Sequence, residues 1–159
     1  MTREHAWGSR GKRVVGVVPR NRGTILTVVG AVALDGPRAF MAYEGGTDKE
    51  AYLRFVEDAL VPSLHRGDVV VMDNLGAHRA HGVVERIRAV GADVLYLPPY
   101  HPELNPIELA WAQVKRLLRK MAARTLQTLA IAVRDAKDAM APADVAGWFK
   151  HCGYAAQVM

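Results

Sequence analysis

Residues 69–78 have the sequence VVVMDNLGAH, and residues 97–108 have the sequence LPPYHPELNPIE. The first segment is a short, uninterrupted apolar run that ends at Asp73, which is typical of a strand buried on both faces of a sheet. The second segment follows another predicted strand, residues 93–97. A helix predicted over residues 80–90 connects the two strands, so together they form a β-α-β unit with parallel pairing.

The residues before this unit are predicted to form three strands and a helix. The strand candidates are residues 14–18, 24–34 and 39–43. Their β-branched content, and a turn at Asp35 and Gly36 between the second and third, indicate an antiparallel meander. Thr47 is a suitable helix cap because Glu50 follows three residues later, and Pro62 ends the helical pattern.

After the parallel unit, the sequence predicts only helices. The first begins after Asn105 and has an apolar face formed by Ile107, Trp111, Val114 and Leu118. Two more helices are expected at about residues 126–140 and 142–150. The predicted fold class is therefore α/β: a mixed sheet of three antiparallel strands followed by parallel strands, with helices on both faces. We expect a single domain over residues 1–159, with residues 1–13 poorly ordered.

The composition indicates neither a membrane nor a secreted protein, so the cytoplasm is the expected location, and the basic charge alone is only weak evidence for a nucleic-acid partner. The net charge is +5, and the basic residues concentrate in residues 3–22 and 115–124. By themselves such clusters are usually solvated surfaces. The longest uncharged apolar stretch, residues 24–34, is much shorter than the ~20 residues that cross a bilayer. No secretory signal begins the sequence, and the single cysteine, Cys152, is expected to be structural.

Two acidic residues follow the two predicted parallel strands, at the edge of the sheet where functional groups are expected. Asp73 comes directly after a buried strand, and Glu108 lies in the first turn of the helix that follows the next parallel strand. Sites in open α/β sheets lie at this edge. Carboxylate oxygens are the ligands that Mg²⁺ prefers, often only one or two of them together with substrate phosphates and water. The two acids are therefore candidates to share one divalent metal ion.

Each of these residues also has a purely structural interpretation. Asp73 and Asn74 suit a strand-to-helix turn, because both side chains bond local backbone amides readily. Asn105 as N-cap and Glu108 at the third helical position suit a variant of the capping box. His78 is more often a turn or surface histidine than a catalytic base, since the sequence supplies no evident partner to orient it. From the residues alone, both interpretations stay open.

The two segments together resemble the DDE superfamily of transposase endonucleases, in particular the bacterial insertion-sequence branch related to mariner, sometimes called the six-thirty group. That branch has a strand ending in Asp-Asn with a nearby His, matched here by Asp73, Asn74 and His78. It also has a Pro-Pro-Tyr-x-Pro-x-x-Asn-Pro-Ile-Glu-x-x-Trp element, matched here by residues 98–111. The interval of 34 residues between the two acids is characteristic of the family.

The resemblance implies an RNase H-like fold and a site for two Mg²⁺ or Mn²⁺ ions about 4 Å apart that support in-line phosphoryl transfer on DNA. It implies that Asp73 and Glu108 are the second and third metal-binding acids. The first acid of the family sits on an opening strand that should precede Trp7, and this strand is expected to be missing. The helix-turn-helix that recognises transposon ends is expected to be missing as well.

DNA contacts are predicted from the basic residues. Lys115 and Arg119 fall on the same helical stripe as Glu108, where they can hold phosphates with salt-dependent affinity. Three further candidates near the start of the chain are Arg10, Lys12 and Arg13. Trp111 is expected to pack in the core and support the site rather than stack on a base. Double-stranded DNA and a second copy of the chain are the expected partners.

Three functional hypotheses remain. In the first, the chain is most of a transposase catalytic core whose opening segment is encoded elsewhere. In the second, it is a remnant that binds DNA or a partner without catalysis. In the third, it is an RNase H-like nuclease or resolvase unrelated to transposition, which branched or hybrid nucleic-acid substrates would identify.

Overall fold

The computed structural model describes residues 7–15, 24–121 and 125–154. Its first regular unit is an antiparallel hairpin of β1 (Leu26–Ala33) and β2 (Gly36–Glu44). The expected turn is present: Arg38 forms an ion pair with Asp35, with 2.9 Å between nitrogen and oxygen. The strand predicted over residues 14–18 is not formed at Val14 and Val15, and the rest of it lies outside the described residues.

The first helical segment changes its winding along its length. α1 (Lys49–Phe55) passes into a π-helical turn (Val56–Leu60) and a 3₁₀ turn (Val61–Ser63), in which Pro62 occupies the first turn. The N-cap is Asp48, not the predicted Thr47: the Asp48 carboxylate accepts the Ala51 N–H at 2.7 Å. An ionised cap at the positive end of a helix is stabilising, which explains the shift by one residue.

The β-α-β unit is formed as predicted. β3 (Val69–Met72) and β4 (Asp93–Tyr96) pair in parallel, and α2 (Val83–Ala89) connects them. α2 begins later than the predicted residue 80, because Gly82 has a left-handed backbone with φ of 92° and leaves residues 80–82 in turns. A second left-handed glycine, Gly91 with φ of 80°, follows the helix.

Three helices complete the described chain: α3 (Pro106–Met121), α4 (Leu126–Asp138) and α5 (Pro142–His151). They pack around a core that includes Ala110, Val114 and Val145. Trp111 belongs to this layer and meets Phe40 edge-on, with ring centroids 5.7 Å apart. A second core, around Phe55, Val83 and Ile87, lies beneath α1 and α2.

β1 lies between these two cores. Val29 and Ala31 pack against the core of α1 and α2, whereas Val28 and Val32 pack against the core of α3, α4 and α5. Alternate residues of one strand therefore contact opposite helical layers, which confirms the prediction of helices on both faces. The strands do not form one continuous sheet: in the described residues, β1 pairs only with β2 and β3 only with β4. The described strands therefore form two separate pairs and not the single mixed sheet that the sequence predicts, while residues 16–18 of the remaining antiparallel strand candidate lie outside the described residues.

Candidate active site

A groove of about 590 Å³ lies between the two strand pairs. Its walls include β1, β3 and the beginning of α3, and its lining includes Asp73, His78, Asn105 and Glu108. The groove thus brings together side chains from the end of β3 and from the first turn of α3. These are the two places at which the sequence predicts metal-binding acids.

Asp73 stands one residue beyond β3 and is held by its own turn. Its Oδ1 atom accepts the backbone N–H of Leu75 at 3.0 Å. Its side chain is 42% exposed, so solvent and ligands can reach it. The structural interpretation of Asp73 as a turn residue therefore describes a real contact, but this contact leaves the carboxylate open toward the groove.

His78 is a direct partner of Asp73. Its Nδ1 atom lies 2.6 Å from Asp73 Oδ1, and the histidine side chain is only 19% exposed. The imidazole ring also contacts the ring of Tyr52, with centroids 4.4 Å apart. The expectation that His78 has no orienting partner is wrong. The turn of residues 74–78 brings the His78 ring back into contact with Asp73, five residues earlier in the chain.

Asn74 connects the ends of the two parallel strands. Its side-chain amide donates to the carbonyl of Leu97, just beyond β4, and its Oδ1 atom accepts from Arg79. The Arg79 guanidinium also lies 5.3 Å from the centroid of the Tyr96 ring, at cation–π distance. Asn74 therefore fixes the strand ends from which Asp73 projects.

Glu108 is exposed in the first turn of α3. Its backbone N–H donates to the carbonyl of Asn105 at 3.1 Å, and the Asn105 side chain accepts weakly from Ile107 at 3.4 Å. Tyr154, which also lines the groove, donates its hydroxyl to the Leu104 carbonyl at 2.9 Å and fastens the chain ahead of the helix. These contacts hold the backbone and leave the Glu108 carboxylate accessible.

Tyr52 supports the floor of the site. Burial raises the pKa of its phenol well above the usual range, and the nearby Asp73 carboxylate and Tyr96 act in the same direction. A neutral, buried phenol beside His78 gives this end of the groove an apolar base. The sequence motifs indicate neither the contact of Tyr52 with His78 nor the role of Arg79, since neither residue lies in the acidic motifs.

The predicted DNA contacts lie on two separate segments of the chain. Lys115 is exposed on α3, and Arg119 is partly exposed one turn further along the same stripe as Glu108. Arg10, Lys12 and Arg13 are exposed in a loop in which the Lys12 N–H donates to Ser9 at 3.0 Å. Only the α3 pair shares an element with an acid of the groove.

The side-chain oxygens that could bind a metal ion in the groove suit a hard divalent cation, but few side chains supply them. Asp73 and Glu108 offer carboxylate oxygens, the ligand type that Mg²⁺ and Mn²⁺ accept. Among residues 7–15, 24–121 and 125–154, no cluster of three or more His, Cys, Asp or Glu side chains could hold a metal ion. Asp73 and Glu108 could therefore supply part of a metal site, whereas Asp68, the other acid in the groove lining, precedes β3 and accepts the His65 N–H at 2.8 Å.

Comparison with known protein families identifies the family of this chain. The profile described as DDE superfamily endonuclease matches residues 1–130. The chain therefore belongs to the DDE superfamily of endonucleases. No curated protein matches it.

Solved structures of the Mos1 transposase share the fold. The pre-cleavage Mos1 transpososome superposes with a TM-score of 0.72 at 14% identity, over 96% of this chain and 47% of that chain. The Mos1 strand transfer complex gives 0.68 at 17% identity, over 96% and 46%. The Mos1 mariner paired-end complex with Mn gives 0.66 at 16% identity, over 96% and 47%. The chain thus has the RNase H-like α/β fold and spans about half the length of these structures. In the described residues, no helix is long and apolar enough to cross a membrane.

Proposed function

We propose that the chain is the greater part of a transposase catalytic core, which cuts and rejoins DNA by phosphoryl transfer. The observation that carries this proposal is the convergence of Asp73 and Glu108 on one groove in a chain of the DDE superfamily. The similar solved structures are Mos1 transposase complexes, one of them with a transposon end, which supports DNA as the partner.

The two acids would hold Mg²⁺ or Mn²⁺, the cofactors expected for the family. The two contacts of the Asp73 carboxylate, with the Leu75 N–H and with His78 Nδ1, are both made by Oδ1, so we assign Oδ2 to the metal. A bound divalent ion would neutralise charge on the phosphate and lower the pKa of an attacking water or 3′-hydroxyl. His78 would keep the Asp73 carboxylate in one orientation, and the Asn74 bridge would hold β3 and β4 in place beneath it.

Catalysis is tested by metal-dependent nicking of plasmid DNA. The assay compares this chain with a version extended at its N-terminus, and each is also made with Asp73→Asn and with Glu108→Gln. We expect Mn²⁺-dependent nicking by the extended version and its loss in both variants. Nicking that persists in the variants would remove these acids from the mechanism.

The absence of a third acid from the described cluster favours a second candidate, a non-catalytic DNA-binding remnant. Lys115 and Arg119 would supply salt-dependent affinity through phosphate contacts. A double substitution of both residues to Ala is therefore expected to weaken DNA binding and flatten its salt dependence. The matched control is Arg134→Ala with Lys137→Ala on α4. Unchanged binding in the α3 double variant would contradict this role.

We also propose that two copies of the chain act together on DNA. The paired-end and strand-transfer assemblies of Mos1, which share the fold, support this proposal. Sedimentation of the chain with a short duplex tests it. A complex that contains two protein copies is expected, and a complex with one copy at all protein concentrations would contradict it.

A further inference from the structure

The loop between β4 and α3 contains a tyrosine with a left-handed backbone. Tyr100 has φ of 62° and is the only non-glycine residue with positive φ in the described part of the chain. For a bulky residue this conformation is rare, because Cβ comes too close to the carbonyl oxygen, and surrounding structure must hold it in place. Residues held in this way cluster at active sites and ligand-binding sites.

The strained backbone does not serve to pack the tyrosine inside the protein. The Tyr100 side chain is 99% exposed, so burial cannot offset the cost of its conformation. Within residues 97–108, all of which are described, no other aromatic residue and no Leu, Ile, Val or Met is exposed. A single ring without an apolar surround is too small for a protein interface. It is large enough for one flat ligand.

The backbone on both sides of the tyrosine is held in place. Residues 98–102 include three prolines, whose rings fix the backbone φ angle. Before them, the Leu97 carbonyl accepts the side-chain amide of Asn74. After them, the Leu104 carbonyl accepts the Tyr154 hydroxyl at 2.9 Å. The ring is therefore displayed on a fixed loop, which reduces the entropy that a ligand contact would cost.

The same loop joins the two acids of the groove. Its first contact is with Asn74, the neighbour of Asp73, and it leads into the helix that carries Glu108. Tyr100 is three residues beyond Leu97, so their Cα atoms are at most about 11 Å apart. This distance is about three base steps of a DNA strand, since each step rises about 3.4 Å. A strand with one phosphate between the acids would thus pass within reach of the ring.

We propose that Tyr100 is a stacking surface for one unpaired nucleobase beside the phosphate that the groove receives. This inference rests on the proposed function, because it takes DNA as the ligand. An exposed aromatic ring offers a flat face to a base, and such stacking tolerates every base type. A base inside a duplex already stacks on both of its faces and must leave the stack to meet a side chain in this way. Tyr100 would therefore hold a terminal or displaced base and fix the position of the strand between Asp73 and Glu108.

The test compares the affinity of the full chain for two short duplexes, measured by fluorescence anisotropy. One duplex is fully paired, and the other has the same sequence with one additional unpaired adenine. The unsubstituted chain should bind the second duplex about tenfold more tightly, the effect expected from stacking of one base. Tyr100→Ala should abolish this preference and leave the affinity for the paired duplex unchanged, whereas Tyr100→Phe should retain the preference. Trp7→Ala, which removes another fully exposed aromatic side chain, is the matched control.

A glycine variant separates a binding role from a structural one. Glycine adopts positive φ without the Cβ clash, whereas alanine keeps the clash and also lacks the ring. The melting temperature of Tyr100→Gly should be no lower than that of the unsubstituted chain and about 3 °C higher than that of Tyr100→Ala. Both variants should nevertheless lose the preference for the unpaired base. A tyrosine with only a structural role would instead give a lower melting temperature in both variants and equal losses of affinity for the two duplexes.

Several outcomes would overturn the proposal. These are equal affinity of the unsubstituted chain for the two duplexes, a preference that persists in Tyr100→Ala, and a preference lost equally in Trp7→Ala. If the paired duplex is still bound in these cases, the inference about Tyr100 fails while the proposed function stands. No binding of either duplex by the unsubstituted chain would overturn both.

Discussion

Replacement of His78 by phenylalanine tests whether the histidine orients Asp73. The substitution keeps an aromatic ring against Tyr52 and removes two contacts of His78 Nδ1 with Asp73, at 2.6 Å from Oδ1 and at 3.3 Å from the backbone carbonyl. A hydrogen bond to a charged group contributes about 1.5–3 kcal/mol. Because the Asp73 side chain is 42% exposed, solvent screening reduces this to about 1 kcal/mol. For a chain of this size, the melting temperature should fall by about 3 °C.

The assay is a double-mutant cycle on thermal unfolding at pH 7, with His78→Phe, Asp73→Asn and the double variant. If the two side chains interact as described, the second substitution costs little once the first is made, and the coupling free energy is about 1 kcal/mol. His78→Asn is the conservative control, since its amide can still donate near the Nδ1 position. Strictly additive effects of the two substitutions would refute the reasoning.

Two other predictions concern the cores of the fold. Ile87→Ala should lower the free energy of unfolding by about 3 kcal/mol because this side chain is fully buried. Val90→Ala at the end of the same helix should lower it by less than about 0.5 kcal/mol. Similar losses for the two variants in chemical unfolding would contradict the described burial of Ile87. Burial raises the pKa of the Cys152 thiol, so little thiolate forms near neutral pH. Iodoacetamide at pH 8 should therefore alkylate Cys152 much more slowly in the folded chain than in urea, and equal rates would show that the thiol is accessible.

The β-α-β unit could be predicted from sequence because its signals are local. The apolar run of residues 69–72, the glycine after α2 and the proline-rich crossing each specify backbone structure within a few residues. The long helix after Asn105 has a regular apolar face, and Ile107, Trp111 and Val114 pack as that periodicity predicts. Local propensity and tertiary packing agree in these elements, so the sequence pattern is sufficient.

The remaining features depend on contacts between distant residues. The division of the strands into two pairs depends on which strand edges form hydrogen bonds with each other. The alternation of apolar and polar residues within a strand does not indicate which strand is its neighbour. The contacts of His78 with Asp73 and Tyr52 require the turn after β3 to fold back toward α1. The Asn74 bridge to Leu97 spans 23 positions in sequence. No local pattern indicates such contacts, although the nearby Asp and His were a usable signal.

The most direct test of the central claim is Mn²⁺ binding, measured by electron paramagnetic resonance, by the chain extended at its N-terminus. The unsubstituted protein should bind Mn²⁺, Asp73→Asn and Glu108→Gln should each reduce the affinity, and the double variant should bind no more tightly than the weaker of the two single variants. Glu103→Gln, which alters a nearby carboxylate that does not line the groove, is the matched control. Equal Mn²⁺ affinity in the unsubstituted protein and in both single variants would contradict a metal site shared by Asp73 and Glu108.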